Sequence, residues 1–242
     1  MNINKLSKKK TRNSDVILPH SDVLNIPALS KIFNKTTNSY KFLFFISLLD
    51  IAKMRGFSGG ARQVSYVDLT IEMLANAWPL YVEHGLSFGT QDTIASKLDE
   101  LELKFPQPLD FAKDGKQSLR KAMALADLKQ ARRLMDFVPY RLLTPFLEDE
   151  LVGVDKGDWL TLELALPTIA NKHFLTKKPV YRFDSDEYKD CESVIIHPEW
   201  NDYFGKNFAA IYDWALSCWV EYMEKRKPQK SGIAAMIFDH RR

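Results

Sequence analysis

The sequence predicts a mainly α fold: a multi-helix globular bundle with a small β-hairpin ahead of a long C-terminal helix. Three observations carry this. Apolar residues recur at helical spacing through most of the chain, between breaks made by proline and glycine. Only two short stretches, residues 180–183 and 193–197, concentrate β-branched and aromatic residues, and they flank an acidic turn. With 242 residues, 45% of them hydrophobic, there is chain enough for one large domain.

Residues 1–21 are polar and lysine-rich and lack apolar periodicity, so they are expected as a basic, flexible tail ahead of a single helical domain over 22–242. Pro27 suits the first turn of a helix with Leu29, Ile32 and Phe33 on one face. The hydroxyl of Thr36 or Thr37 suits the start of a second helix, which ends at Lys53 or Met54 before the loop at 56–60. Its apolar residues cover almost the whole circumference, which puts it at the centre of the core. Ser65 can cap a third helix over 66–78, ended or kinked by Pro79. A fourth, over 90–103, lines up Ile94, Leu98 and Leu101 before Pro106 and Pro108 break the pattern. A fifth, over 117–135, sets Leu119, Met123, Leu128 and Leu134 against a basic side. Residues 138–146 are too proline-rich for a long helix, and 160–166 is compatible with a strand or a short helix. The hairpin is expected over about 179–197. The last helix follows over about 198–227, with Trp214, Ala215, Cys218, Trp219 and Tyr222 inward and Pro228 as its stop.

Composition excludes several chemistries. No apolar run has the length of a membrane span and no signal core follows the basic start, so a cytoplasmic protein without a membrane partner is expected. Cys191 and Cys218 have neither disulfide nor zinc spacing, and no histidine pair has the i, i+4 spacing of a helical zinc site. The glycines at 56, 59 and 60 lack the spacing of a phosphate loop. Asp184, Asp186, Asp190 and Glu192 alternate like calcium ligands. Lys189 and Ile195, however, stand where an EF-hand needs glycine and a carboxylate. Glu102-Leu103-Lys104 matches half of a two-metal nuclease motif, but at a helix end and not on a strand. Neither a catalytic residue nor a metal ligand is therefore expected.

Charge is more informative. The two ends of the chain, 1–12 and 225–242, are strongly basic, and the body between them is acidic. Lys116 precedes the fifth helix, which carries Arg120, Lys121, Lys129, Arg132 and Arg133; Lys225, Arg226 and Lys227 close the last one. Cations so clustered displace counterions from a nucleic-acid backbone and bind it in a salt-sensitive way. An ordinary solvated helix face is the alternative reading of the fifth helix.

Four ordered blocks resemble bacterial HNH endonuclease-domain proteins of restriction and anti-phage settings. They are Asn34-Lys35-Thr36-Thr37-Asn38-Ser39-Tyr40-Lys41-Phe42, Met73-Leu74-Ala75-Asn76-Ala77-Trp78, Ser87-Phe88-Gly89-Thr90-Gln91-Asp92, and Glu224-Lys225-Arg226-Lys227-Pro228-Gln229-Lys230-Ser231-Gly232-Ile233. The resemblance extends over residues 26–233. It implies a helical domain that positions a nuclease on DNA or holds partner subunits. In that family's nuclease module a histidine activates water and a divalent metal stabilises the scissile phosphate. Nothing in this chain matches that module: Asp239-His240 lacks the strand and helix it needs, Lys227 replaces an expected asparagine and Ser231 an expected proline. No catalytic residue and no cofactor is carried over, and the metal would belong to an HNH module outside this chain. Tyr40 and Lys41 either contact nucleic acid or an adjoining domain, or are a core residue and a surface residue near the helix start. The expected function is a DNA-associated, non-catalytic helical domain, with DNA and a nuclease module or partner subunit as partners. The alternative is a protein-interaction or regulatory scaffold without nucleic-acid contact.

Overall fold

Every residue from Phe42 to Leu49 is buried, so α2 (Tyr40–Arg55) has no solvent face over two turns. The computed structural model describes residues 17–57, 60–88, 93–105, 109–110, 113–155 and 158–239. In it the other elements are laid around this apolar rod. They are α1 (Ile26–Ser30), β1 (Arg62–Ser65), α3 (Tyr66–Val82), α4 (Ile94–Glu100), α5 (Gly115–Ala124), α6 (Val138–Leu143), α7 (Trp159–Lys172), β2 (Tyr181–Phe183), β3 (Ser193–Ile196), α8 (Pro198–Lys206), α9 (Phe208–Arg226) and α10 (Ile233–Asp239). Helices α3, α6, α8 and α9 and strand β1 all touch α2, and the buried side chains form one connected cluster. The mainly α fold is as expected. Among the described residues no helix is long and apolar enough to cross a membrane.

Local chemistry explains the boundaries. Asn25 caps α1 by accepting from the Ala28 amide at 2.9 Å, with Pro27 in the first turn. Ser65 caps α3 in the same way through the Asp68 amide at 3.0 Å. Helix α2 begins at Tyr40, later than the threonines suggest. The Thr36 hydroxyl donates backwards to the Phe33 carbonyl at 2.6 Å, and the Asn38 side chain accepts from the Tyr40 amide at 3.1 Å. Residues 34–39 are thus a turn and not a first helical turn. Helix α3 runs through Pro79 to Val82, where the Glu83 amide still closes on the Pro79 carbonyl at 3.0 Å. Helix α4 is confined to Ile94–Glu100, and the expected start at 90–92 lies outside the described residues, as do Pro106 and Pro108.

The long basic helix over 117–135 is corrected. Helix α5 ends at Ala124, and the Asp127 carboxylate then accepts from the Lys129 amide at 2.9 Å, a local turn that competes with the helix. A 3₁₀ turn, Ala131–Asp136, follows. The ambiguous stretch at 160–166 is helical: Asp158 caps α7 through the Leu160 amide at 3.1 Å. The single C-terminal helix is also two. It breaks at Asn207, whose amide and side chain both close on the Tyr203 carbonyl, at 3.1 and 3.0 Å. Residues 1–16 lie outside the described residues, but Leu18 is buried in the core and the Tyr203 hydroxyl donates to the Pro19 carbonyl at 2.6 Å.

The hairpin carries a third strand. Order is β1-β3-β2, antiparallel throughout, so Val64, Val194 and Phe183 lie in one row. All three are fully buried, whereas Gln63, Ile195 and Arg182 in the next row face outward in part. The acidic turn between β2 and β3 pins itself, since the Asp184 carboxylate accepts from the Glu192 amide at 3.1 Å and the Ser193 hydroxyl at 2.7 Å.

Candidate functional site

The turn at 34–39 leaves a space in front of α2. Residues 137–144 close its far side, and the result is a cleft of about 320 Å³. Its polar lining is Lys35, Thr36, Thr37, Asn38, Lys41, Arg141 and Thr144. Its apolar lining is Phe137, Val138 and Leu162. Among the described residues no aspartate or glutamate lines it, and the first turn of α2, whose positive dipole end faces this way, contains no acid either.

Lys41 is partly buried, and its Nζ donates to the Ile32 carbonyl at 3.1 Å. Among the described residues it has no carboxylate partner. Burial, and then the charge of Arg141, lower its amine from 10.5 to about 8. Arg141 is fixed by donating from Nε to Glu163 at 2.6 Å. Glu163 is fully buried on α7, and burial outweighs Arg141 to raise its carboxyl above the ordinary value. Arg226 reaches the rim: its guanidinium lies over the Tyr222 ring at 5.5 Å and contacts the Thr37 carbonyl at 3.5 Å. The cleft therefore carries Lys35, Lys41 and Arg141, with Arg226 at its rim, and buried Glu163 counters the Arg141 guanidinium.

The structure brings three of the sequence-predicted residues, Tyr40, Lys41 and Arg226, to this place. Tyr40 lines the cleft, but its hydroxyl is engaged with Thr93, accepting from the amide at 2.8 Å and sharing a proton with Oγ1 at 2.8 Å. It braces the start of α2 against α4. The other predicted cations are dispersed. Arg120 donates to Glu72 from Nε at 2.6 Å and from Nη2 at 2.8 Å, and Glu72 is almost fully buried. Arg132 pairs with Glu192 and lies over the Tyr66 ring at 5.6 Å. Lys225 pairs with Glu221 at 2.7 Å, and Lys227 donates to the Ser87 hydroxyl at 2.7 Å. Lys121, Lys129 and Arg133 are exposed and have no ion pair among the described residues.

Arg141 and Glu163 escaped sequence reasoning. Arg141 sits in a stretch legible only as proline-rich, and Glu163 interrupts a leucine-rich run. An acid within an apolar helix is itself a signal, because it needs a cation from another element.

The nuclease half-motif does not assemble: Glu102 has a φ of 47° in the turn after α4, and no strand holds Lys104. Among the described residues no group of three or more histidine, cysteine or acidic side chains could hold a metal ion. The two thiols are pushed up by burial, Cys191 to about 11 and Cys218 to about 12.

No family model, no curated protein and no solved structure matches this chain. Arg226 contacts the Thr37 carbonyl and Lys227 the Ser87 hydroxyl, and Met223 and Trp219, just ahead on α9, contact Ser39 and Phe88.

Proposed function

We propose that this chain is a DNA-associated, non-catalytic helical domain of an HNH-type endonuclease, acting in the cytoplasm in restriction or anti-phage defence. In this reading the helices place a cutting module that lies elsewhere, and the divalent metal belongs to that module. The observation that carries it is the cleft holding Lys35, Lys41 and Arg141, without an acid among the described residues that line it, and with Arg226 at its rim. Such a cleft attracts phosphate, and the exposed Lys121, Lys129 and Arg133 add cations able to follow a backbone.

The test is fluorescence anisotropy with labelled single-stranded and duplex DNA. If three phosphates are contacted, affinity should fall roughly 40-fold between about 50 and about 200 mM salt. Reversing charge at Lys129 and Arg133 should flatten that slope by about one unit per cation. Binding that is absent at low salt, or indifferent to salt, would overturn the reading.

A second reading has its own observation. Leu160 and Leu164 stand one turn apart on α7, each more than two-fifths exposed, while Leu162 between them turns inward and is buried. An apolar strip of this kind fits a protein-interaction or regulatory scaffold with no nucleic-acid contact. That reading expects a stable complex with a partner subunit, weakened by Leu160→Asp or Leu164→Asp, and no DNA binding at low salt.

A further inference from the structure

We propose that the Lys41 cleft is a binding site for a terminal phosphomonoester of nucleotide size, carried either by the end of a nucleic-acid strand or by a free nucleoside monophosphate. The strand-end source rests on the nucleic-acid reading above; the phosphomonoester chemistry does not.

Charge selects the group. Lys41 and Arg141 converge on the cleft, Arg226 borders it, and Glu163, bonded to Arg141, is the one acid engaged there among the described residues. An internucleotide diester carries a single negative charge. A terminal phosphomonoester carries about −1.5 to −2 near neutral pH and offers three acceptor oxygens. The dianion matches the excess of cations better, and a planar guanidinium beside an ammonium suits adjacent terminal oxygens. The α2 dipole adds to this attraction without a competing acid in its first turn.

Shape selects the rest of the ligand. About 320 Å³ lies at the small end of the range for small-molecule sites, roughly 300–1,000 Å³. It can hold one nucleotide but not a continuing duplex. Phe137, Val138 and Leu162 add apolar lining suited to a sugar and base, and Thr36, Thr37 and Asn38 add hydrogen-bonding groups. Lys41 also lacks any carboxylate partner among the described residues, so an incoming phosphate supplies the counter-ion that its partial burial demands.

The experiment compares one labelled single strand with and without a 5′-phosphate, and adds 5′-AMP or adenosine as competitor. The phosphorylated strand should bind about tenfold more tightly, the scale of one charge-assisted contact. AMP should displace it and adenosine should not. Lys41→Gln should abolish the preference and Lys41→Arg should keep it. Arg226→Gln, at the exposed rim, should weaken it without touching the core. Equal affinity for the two strands with no displacement by AMP would overturn the phosphomonoester site, while salt-sensitive DNA binding would stand. AMP binding that depends on Lys41, without affinity for either strand, would support the site and overturn the nucleic-acid reading. A phosphate preference unchanged in Lys41→Gln would place the site elsewhere on the chain and overturn the assignment.

Discussion

Burial takes the Lys41 amine down to about 8, and Arg141 reinforces the effect. Between about 8 and 10.5 the unfolded chain holds this proton more readily than the folded one, so stability rises with pH across that window. Below it the charged amine is a standing cost. Lys41→Met should therefore raise stability at pH 7 by on the order of 2 kcal/mol, and by progressively less as pH approaches 10.5. Urea titrations at the two ends of the window measure this, and the same variant should lose phosphate affinity. His197 acts at the acid side. It is almost fully buried, and its Nδ1 accepts from the Glu199 amide at 3.2 Å to cap α8. Burial lowers its pKa below 6.5 against an opposing pull from Glu199. Its contribution is thus complete above 6.5 and lost as pH falls through the lowered folded value. His197→Asn keeps a capping acceptor and should flatten this acid arm of the stability profile; an unchanged arm would assign the proton elsewhere.

At the element scale, two junctions decide how the helices sit. Glu72 on α3 is almost fully buried and holds Lys116 at 2.7 Å and Arg120 at 2.6 Å, both from α5, while Asp50 on α2 takes Lys116 at 3.1 Å. Glu72→Ala leaves Arg120 without its carboxylate and Lys116 with Asp50 alone, and should destabilise by about 3 kcal/mol in urea unfolding. Arg132→Ala, which removes a partly exposed pair with Glu192, should change it by less than about 1 kcal/mol. The other junction is Gly205, where an added Cβ would stand 2.6 Å from Phe57 Cβ. Alanine is the better helix former by about 1 kcal/mol, yet the clash should dominate and Gly205→Ala should lower the thermal midpoint.

These junctions also mark where the sequence stops being legible. Helix α2 could be read because its apolar run is continuous, and α3 because Ser65 sits where a cap belongs. Strand β1 offers no pattern: one buried valine in four residues, beside a glycine-rich loop, with a partner strand 130 residues away. The break at Asn207 depends on a side chain folding back onto its own helix, which periodicity does not register. Of the candidate site, Tyr40, Lys41 and Arg226 were legible, whereas Arg141 was not. What sets it apart is its nearness to Lys41 and Glu163, and nearness is a property of the fold.

Across the whole molecule the two ends of the described chain interlock. Pro19 is bonded to Tyr203, Ser39 to Met223 and Thr37 to Arg226, and Phe33 stacks on both Phe42 at 4.5 Å and Trp214 at 5.1 Å. Helix α2 is covered from both directions, by α3 and α6 from its own half and by α8 and α9 from the other. Residues 1–155 expressed alone should therefore show no cooperative thermal transition, whereas adding residues 156–242 as a second polypeptide should restore one. A sharp melt of the first piece by itself would mean that the C-terminal helices only decorate a finished core.

The pairing of β1 with β3 sets a timetable for synthesis. Gln63 leaves the ribosome 130 residues ahead of Ser193, with which it will bond; at about 5–20 residues per second that interval is on the order of 10 s. For this time the oily rod beside it has no lid from the far end of the polypeptide. A newborn chain in that condition invites chaperones, and a ribosome that stalls before residue 193 releases a product prone to clump.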